Sequence, residues 1–170
     1  MAKPQLITAN ELGLAFANLF GSLGPEFHVT GHYSAGARAK NPSQAKALTK
    51  SFHTDHKNKG WGGIAYHYLI ADDGTLVGAR PTILKGAHVG GHNSNNIGIV
   101  MPGTSGDHPT PAQRRTYRWL LKNAHTRKLP RAHRTDRNLR LATLWVHNGW
   151  PGQATSCPGG FQHMFLKGVG

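Results

Sequence analysis

The chain has 170 residues, with 20 Lys and Arg against 7 Asp and Glu and a formal net charge of +13. A chain of this length buries roughly 70% of the surface its unfolded form exposes and needs no cross-link to fold; its one cysteine, Cys157, excludes an internal disulfide scaffold. A hydrophobic content of 38% excludes a disordered chain, while the charge seeks a polyanion: nucleic acid, an anionic membrane or an anionic wall polymer.

The first five residues, Met1 to Gln5, carry one lysine and no apolar run, so no secretory signal is expected. No stretch is long and apolar enough to span a bilayer. Residues 8–20 predict a short amphipathic helix. Thr8 and Glu11 fit a capping box, Leu12, Ala15, Phe16 and Leu19 share a face, and Gly21 and Gly24-Pro25 end it. Residues 1–24 are thus expected to be an N-terminal helical extension and 25–170 the main domain. Residues 27–33 read as a strand. Asn41-Pro42 opens a helix lined by Ala45, Leu48 and Phe52. Residues 64–70 read as a strand, Asp72-Asp73-Gly74 as a hairpin turn and 75–78 as the return.

Residues 86–96 form a loop rich in Gly, His and Asn, and 97–101 a short apolar strand. Thr110-Pro111-Ala112-Gln113 starts a helix running to about Lys128, with Tyr117, Leu120, Leu121 and Ala124 inward. Residues 142–147 read as a strand, 149–160 as a loop and 161–167 as a last helical turn or two. The predicted class is α/β: a single domain with a central mixed β-sheet flanked by α-helices.

Twelve histidines invite the question of which lies near Cys157. An unpaired cysteine is commonly a small buried hydrophobe. Here it sits in Ala154-Thr155-Ser156-Cys157-Pro158-Gly159-Gly160, ten residues after His147 at the end of an apolar strand. A histidine at a strand end and a cysteine in the following loop can reach one ion. Zinc favours imidazole nitrogen and thiolate sulfur, and a catalytic zinc keeps three protein ligands plus an open position. His32, near the end of the first strand, is the candidate third ligand.

Four blocks carry a wider likeness: His32-Tyr33-Ser34-Ala35; Trp61-Gly62-Gly63-Ile64-Ala65-Tyr66-His67-Tyr68-Leu69-Ile70 with Asp73-Gly74-Thr75 and Arg80-Pro81; Gly86-Ala87-His88-Val89-Gly90-Gly91-His92-Asn93 running to Asn96-Ile97-Gly98-Ile99; and His147-Asn148-Gly149-Trp150-Pro151-Gly152 ending in Thr155-Ser156-Cys157-Pro158-Gly159. In this order the blocks resemble the zinc-dependent N-acetylmuramoyl-L-alanine amidases shared by phage endolysins and peptidoglycan recognition proteins. The resemblance covers residues 27–166. It departs at Tyr33, at Asn148-Gly149 and over the first 24 residues.

The resemblance implies zinc (Zn2+) held by His32, His147 and Cys157, with Tyr66 as the active-site tyrosine and Thr155 at a position held by Lys or Thr. It implies a central mixed sheet with the metal in a groove on one face. His133 is the rival of His147, disfavoured because it lies far from Cys157. Tyr66 is expected to position or deprotonate water or to donate to the oxyanion; otherwise it is a sheet-face aromatic. Thr155 is expected to donate to the oxyanion; otherwise it caps its loop. His67 should face away from Tyr66 along the strand. His88, His92 and Asn93 are expected to bind substrate from their glycine-rich loop, unless they are turn residues. Trp61 and Trp150 stack on sugar or peptide, or belong to the core.

The implied activity is peptidoglycan hydrolysis by a zinc-activated water, between N-acetylmuramic acid and L-alanine, as in an endolysin. Such a lysin waits in the host cytoplasm until a holin opens the membrane. It needs no membrane insertion and is expected to be monomeric. Residues 114–140, which open on Arg114 and close on Arg140, hold ten Lys and Arg and one acid, Asp136. They read as a solvated face or as a patch drawn to anionic wall polymers; no nucleic-acid recognition motif accompanies them. The competing readings are a non-catalytic recognition module, against which Cys157 argues, and a muropeptide-recycling amidase, against which the charge argues.

Overall fold

A computed structural model describes residues 1–167. Six strands form one sheet: β1 (Leu6–Thr8), β2 (His28–Tyr33), β3 (Tyr68–Ile70), β4 (Leu76–Gly78), β5 (Asn96–Met101) and β6 (Thr143–Val146). Three helices flank it: α1 (Pro42–Asn58), α2 (Pro111–Asn123) and α3 (Gln162–Lys167). The strand order is β1-β4-β3-β5-β2-β6. β3 and β4 pair antiparallel, as the Asp72-Asp73-Gly74 turn requires, and the other pairs are parallel. The sheet is therefore mixed, as expected.

Local chemistry sets the helix starts. Asn41 Oδ1 accepts from Gln44 N at 2.9 Å, ahead of Pro42. Thr110 and Gln113 close a reciprocal capping box. Residue alternation along the strands divides the apolar side chains between two cores. Ile97, Ile99 and Met101 of β5 pack with Tyr117 and Leu120 of α2 and Phe165 of α3. Val100 of β5 and Leu69 of β3 pack on the opposite face with Ala45 of α1 and Ile64. Val29 belongs to the first core, so Thr30 and His32 of β2 point to the face covered by α1.

Three expectations are corrected. Residues 8–20 do not form a helix. The Thr8–Glu11 box exists, and Leu12 N bonds to Thr8 O at 3.1 Å, but Gly13 at φ 66° ends the turn at once. The preceding residues instead add β1 alongside β4, so the first 24 residues contain an edge strand and no helical extension. The strand expected over 64–70 is regular only from Tyr68. The N–H groups of Ile64 and Ala65 donate to His53 Nδ1 and His56 Nδ1 of α1, at 3.2 and 2.9 Å, and not to a neighbouring strand. Helix α2 ends at Asn123, short of Lys128.

Gly31 lies on the core face of β2, where an added Cβ would sit 2.1 Å from Phe165 Cγ. Gly31→Ala is expected to cost about 1–3 kcal/mol through overpacking. Gly36→Ala, with open space around it, should stay within about 0.5 kcal/mol. Urea unfolding midpoints of the two variants check this.

Candidate metal centre

Strand register builds the centre. Gly31 of β2 pairs with Val146 of β6, so the next residue of each strand, His32 and His147, emerges side by side. β6 stops at Val146, and a 3-10 turn, His147–Gly149, turns the His147 ring inward. The ring centroids of His32 and His147 are 4.7 Å apart. The loop that follows returns Cys157 to the same point. Asn148 N donates to Cys157 O at 2.9 Å, Tyr33 N donates to Cys157 Sγ at 3.3 Å, and Cys157 N donates to Thr155 Oγ1 at 3.1 Å. The Tyr33 and Ser156 hydroxyls meet at 2.8 Å and pin the other side.

One ligand atom from each of His32, His147 and Cys157 falls within 4.8 Å of the others. His32 Nδ1 lies 3.7 Å from Cys157 Sγ. Ligands around a tetrahedral ion stand about 3.3–3.8 Å apart, so the set is near the dimensions of a metal site. His133 is not in it: it is buried beneath Gly78, and Tyr68 Oη donates to its carbonyl at 2.6 Å.

Electrostatics favour the metal-ready protonation of the rings. Burial, then the neighbouring His88 and His147, hold His32 well below the ordinary histidine range. Burial lowers His147 too, against the hydrogen bond its Nε2 donates to Gln153 Oε1. The Cys157 thiol moves the other way. Burial pushes it up to about 11, partly offset by the Tyr33 N–H. Without a cation it keeps its proton at neutral pH, and metal binding would release that proton. Burial and the neighbouring Cys157 also raise the Tyr66 phenol. Tyr66 therefore keeps its phenol proton at neutral pH. Its ring is 5.2 Å from that of His32, and its hydroxyl makes no hydrogen bond among the described residues.

The expected substrate residues separate. His88 is buried behind His32, with both ring nitrogens engaged. Asn93 Oδ1 accepts from the backbone N–H of His88 and of Val89, at 2.8 and 2.9 Å, so it folds its own loop. His92 is half-buried on the loop's lip, stacked on Trp150 at 4.7 Å. Trp150 anchors its indole N–H on Thr30 Oγ1 at 2.9 Å and stacks on Trp145 at 4.3 Å. Trp61 is half-buried and reaches the centre at second hand: its ring contacts His56, which lies 5.9 Å from Tyr66. Strand alternation does not separate His67 from Tyr66. The segment is irregular, and both rings lie within 6.5 Å of His88. His67 bridges backbone, with Nε2 2.9 Å from Leu84 O and Nδ1 accepting from Gly98 N at 3.0 Å.

Two further contributors had no role assigned to them in the sequence. Gln153 lies between His147 and Gly90 O, at 3.2 and 3.0 Å. Arg80, 1% exposed, gives its guanidinium to the carbonyls of Trp61, Gly63 and Ile64 and so holds the segment leading to Tyr66. No spacing rule points to either.

A family model described as N-acetylmuramoyl-L-alanine amidase matches residues 25–160, which contain all three candidate ligands. This chain belongs to that family. The endolysin of Enterobacteria phage T3 is 35% identical over 89 residues, 49% of this chain and 58% of that protein. Mouse peptidoglycan recognition protein 1 is 33% identical over 92 residues, 53% of this chain and 50% of that protein. The chain thus spans about half the length of the curated relatives it matches. Among solved structures, Drosophila peptidoglycan recognition protein SD superposes with a TM-score of 0.79 at 20% identity, covering 95% of this chain and 93% of that one. The amidase endolysin LysCS from Clostridium intestinale gives 0.69 at 24%, covering 98% and 95%. At these identities the likeness shows the shared fold.

Several histidines that this family member buries set its acid limit. Burial lowers His56, His67 and His133 to about 4 each. Unfolded, they titrate near 6.5. Neutral in the fold, they add stability that is fully present above about pH 6.5 and lost as pH falls toward 4, on the order of 2 kcal/mol apiece. Denaturant midpoints should therefore fall steeply between pH 6.5 and 4. His67→Gln, which keeps an amide donor and acceptor, should flatten part of that slope.

Proposed function

We propose that this chain is a zinc-dependent hydrolase of bacterial peptidoglycan. It cuts the amide between the lactyl group of N-acetylmuramic acid and L-alanine of the stem peptide. The observation that carries this reading is the convergence of His32, His147 and Cys157 within 4.8 Å inside the amidase-matching region. Two neutral imidazoles and one thiol make a donor set suited to zinc, with one tetrahedral position left for chemistry. Zinc in that site supplies Lewis acidity at neutral pH, activating water and polarising the scissile carbonyl.

The chain's own groups do the rest. Tyr66, protonated and unpaired, donates a hydrogen bond to the oxygen that gains charge when the carbonyl is attacked. Thr155 already accepts from Cys157 N, which fixes the cysteine's place, and its hydroxyl proton stays free to donate to the same oxygen. No cationic side chain stands at position 155, so more of that charge falls on the metal and on Tyr66. His92 and Trp61, both half-exposed, are the residues left for substrate contact.

The basic region fits an anionic wall. Nine of its ten Lys and Arg are exposed, all but Arg134, and none of the ten pairs with a carboxylate among the described residues. In this reading the protein is held in the host cytoplasm and reaches the wall after holin opening, as befits a relative of phage endolysins. No helix among the described residues is long and apolar enough to cross a membrane.

Mass spectrometry of fragments released from purified peptidoglycan tests the proposal. Intact glycan strands and peptides with a new L-alanine amine are expected, lost with a chelator and restored by zinc. Binding without a cut bond would leave a recognition module instead. Cys157→Ser should abolish release. Tyr66→Phe should lower the turnover rate about 100-fold or more while zinc content stays unchanged.

A further inference from the structure

Both candidate histidine ligands are tied by their outward nitrogens to one and the same loop. We infer that the Gly86–Asn96 loop, acting through His88 and Gln153, orients and fixes the tautomers of His32 and His147 so that each offers Nδ1 to the metal. The inference rests on the metal reading of His32, His147 and Cys157.

The first relay runs through His88. Its Nε2 lies 3.1 Å from Asn96 O. A carbonyl only accepts, so His88 Nε2 carries the proton and donates. His88 Nδ1 of the neutral ring then holds a lone pair, and it faces His32 Nε2 at 3.0 Å. His32 Nε2 must therefore be the donor, which leaves the lone pair of His32 on Nδ1, the atom 3.7 Å from Cys157 Sγ. The fold makes room for this ring. A Cβ on Gly86 or on Gly98 would each lie 2.6 Å from His88 Cδ2. Asn93 Oδ1 holds the His88 backbone N–H at 2.8 Å.

The second relay runs through Gln153. Its Nε2 donates to Gly90 O at 3.0 Å, so its amide can be oriented only one way. Oε1 then faces His147 Nε2 at 3.2 Å and accepts from it. The lone pair of His147 is again on Nδ1. Each chain of donors ends on a backbone carbonyl of this segment, Gly90 within the loop or Asn96 where it enters β5. His92 fastens the loop to the segment after β6, stacking on Trp150 with its Nε2 3.3 Å from Pro151 O. His88 and Gln153 are thus positioning residues. They act on the metal through the ligands, as outer partners do in zinc sites generally.

Nitrogen-15 correlation spectra of the histidine rings test the tautomers in the metal-free protein, with no activity involved. The Nε2–H form is expected for His32 and His147. Zinc affinity by chelator competition tests the consequence. Gln153→Leu should weaken zinc about 10- to 100-fold. Gln153→Glu keeps the acceptor for His147 and gives up the bond to Gly90 O, and should bind zinc at least as tightly as the native chain. His88→Phe should weaken zinc likewise. If it fails to fold, the half-exposed Gln153 still decides. Equal losses in Gln153→Leu and Gln153→Glu would make Gln153 a mere loop fastener and overturn the inference, as would Nδ1–H rings in the native protein. Native tautomers and the Leu/Glu split, found without peptidoglycan cleavage, would uphold the relays and overturn the hydrolase reading instead.

Discussion

His32 is 1% exposed and sits on a sheet strand in the interior, so neither of its ring nitrogens can be satisfied by water. Each must find a partner in the protein. One nitrogen meets His88, and the other is left beside Cys157. Much of the surrounding architecture follows from that demand. Gly86 and Gly98 clear space for His88, Asn93 folds the loop that carries it, and parallel pairing of β2 with β6 sets His147 alongside. A neutral, fully bonded imidazole chain in a low-dielectric setting is rigid. The fold itself therefore brings His32, His147 and Cys157 together.

Histidine serves this fold in a second way. His53 and His56 of α1 accept the N–H groups of Ile64 and Ala65, and Arg80 collects the carbonyls of Trp61, Gly63 and Ile64. Between them, side chains do for this segment what a neighbouring strand would do for a regular one. The result is a stiff but irregular approach to Tyr66, aimed at the His32 ring rather than along the pleat. The same arrangement requires neutral imidazoles, and His56, one of the histidines that burial lowers to about 4, takes part in it.

The convergence of His32, His147 and Cys157 was legible from the sequence because strand ends and a short loop bring the three together, and spacing records that. The caps at Asn41 and Thr110 were legible for the same local reason. The Thr8–Glu11 box was read correctly as chemistry and wrongly as a helix, since one capped turn cannot propagate past Gly13. His88 and Asn93 sit in a loop that looks suited to substrate. Their true partners, His32 and the loop's own backbone, depend on tertiary placement. Gln153 left no trace, because an amide in a polar loop has no periodicity or motif.

Zinc K-edge X-ray absorption on the zinc-loaded native protein tests the central claim most directly. The trio predicts one sulfur near 2.3 Å with nitrogen or oxygen neighbours at about 2.0–2.1 Å, at one zinc per chain. A shell of nitrogen and oxygen alone would remove Cys157 from the site and contradict the metal centre on which the account depends.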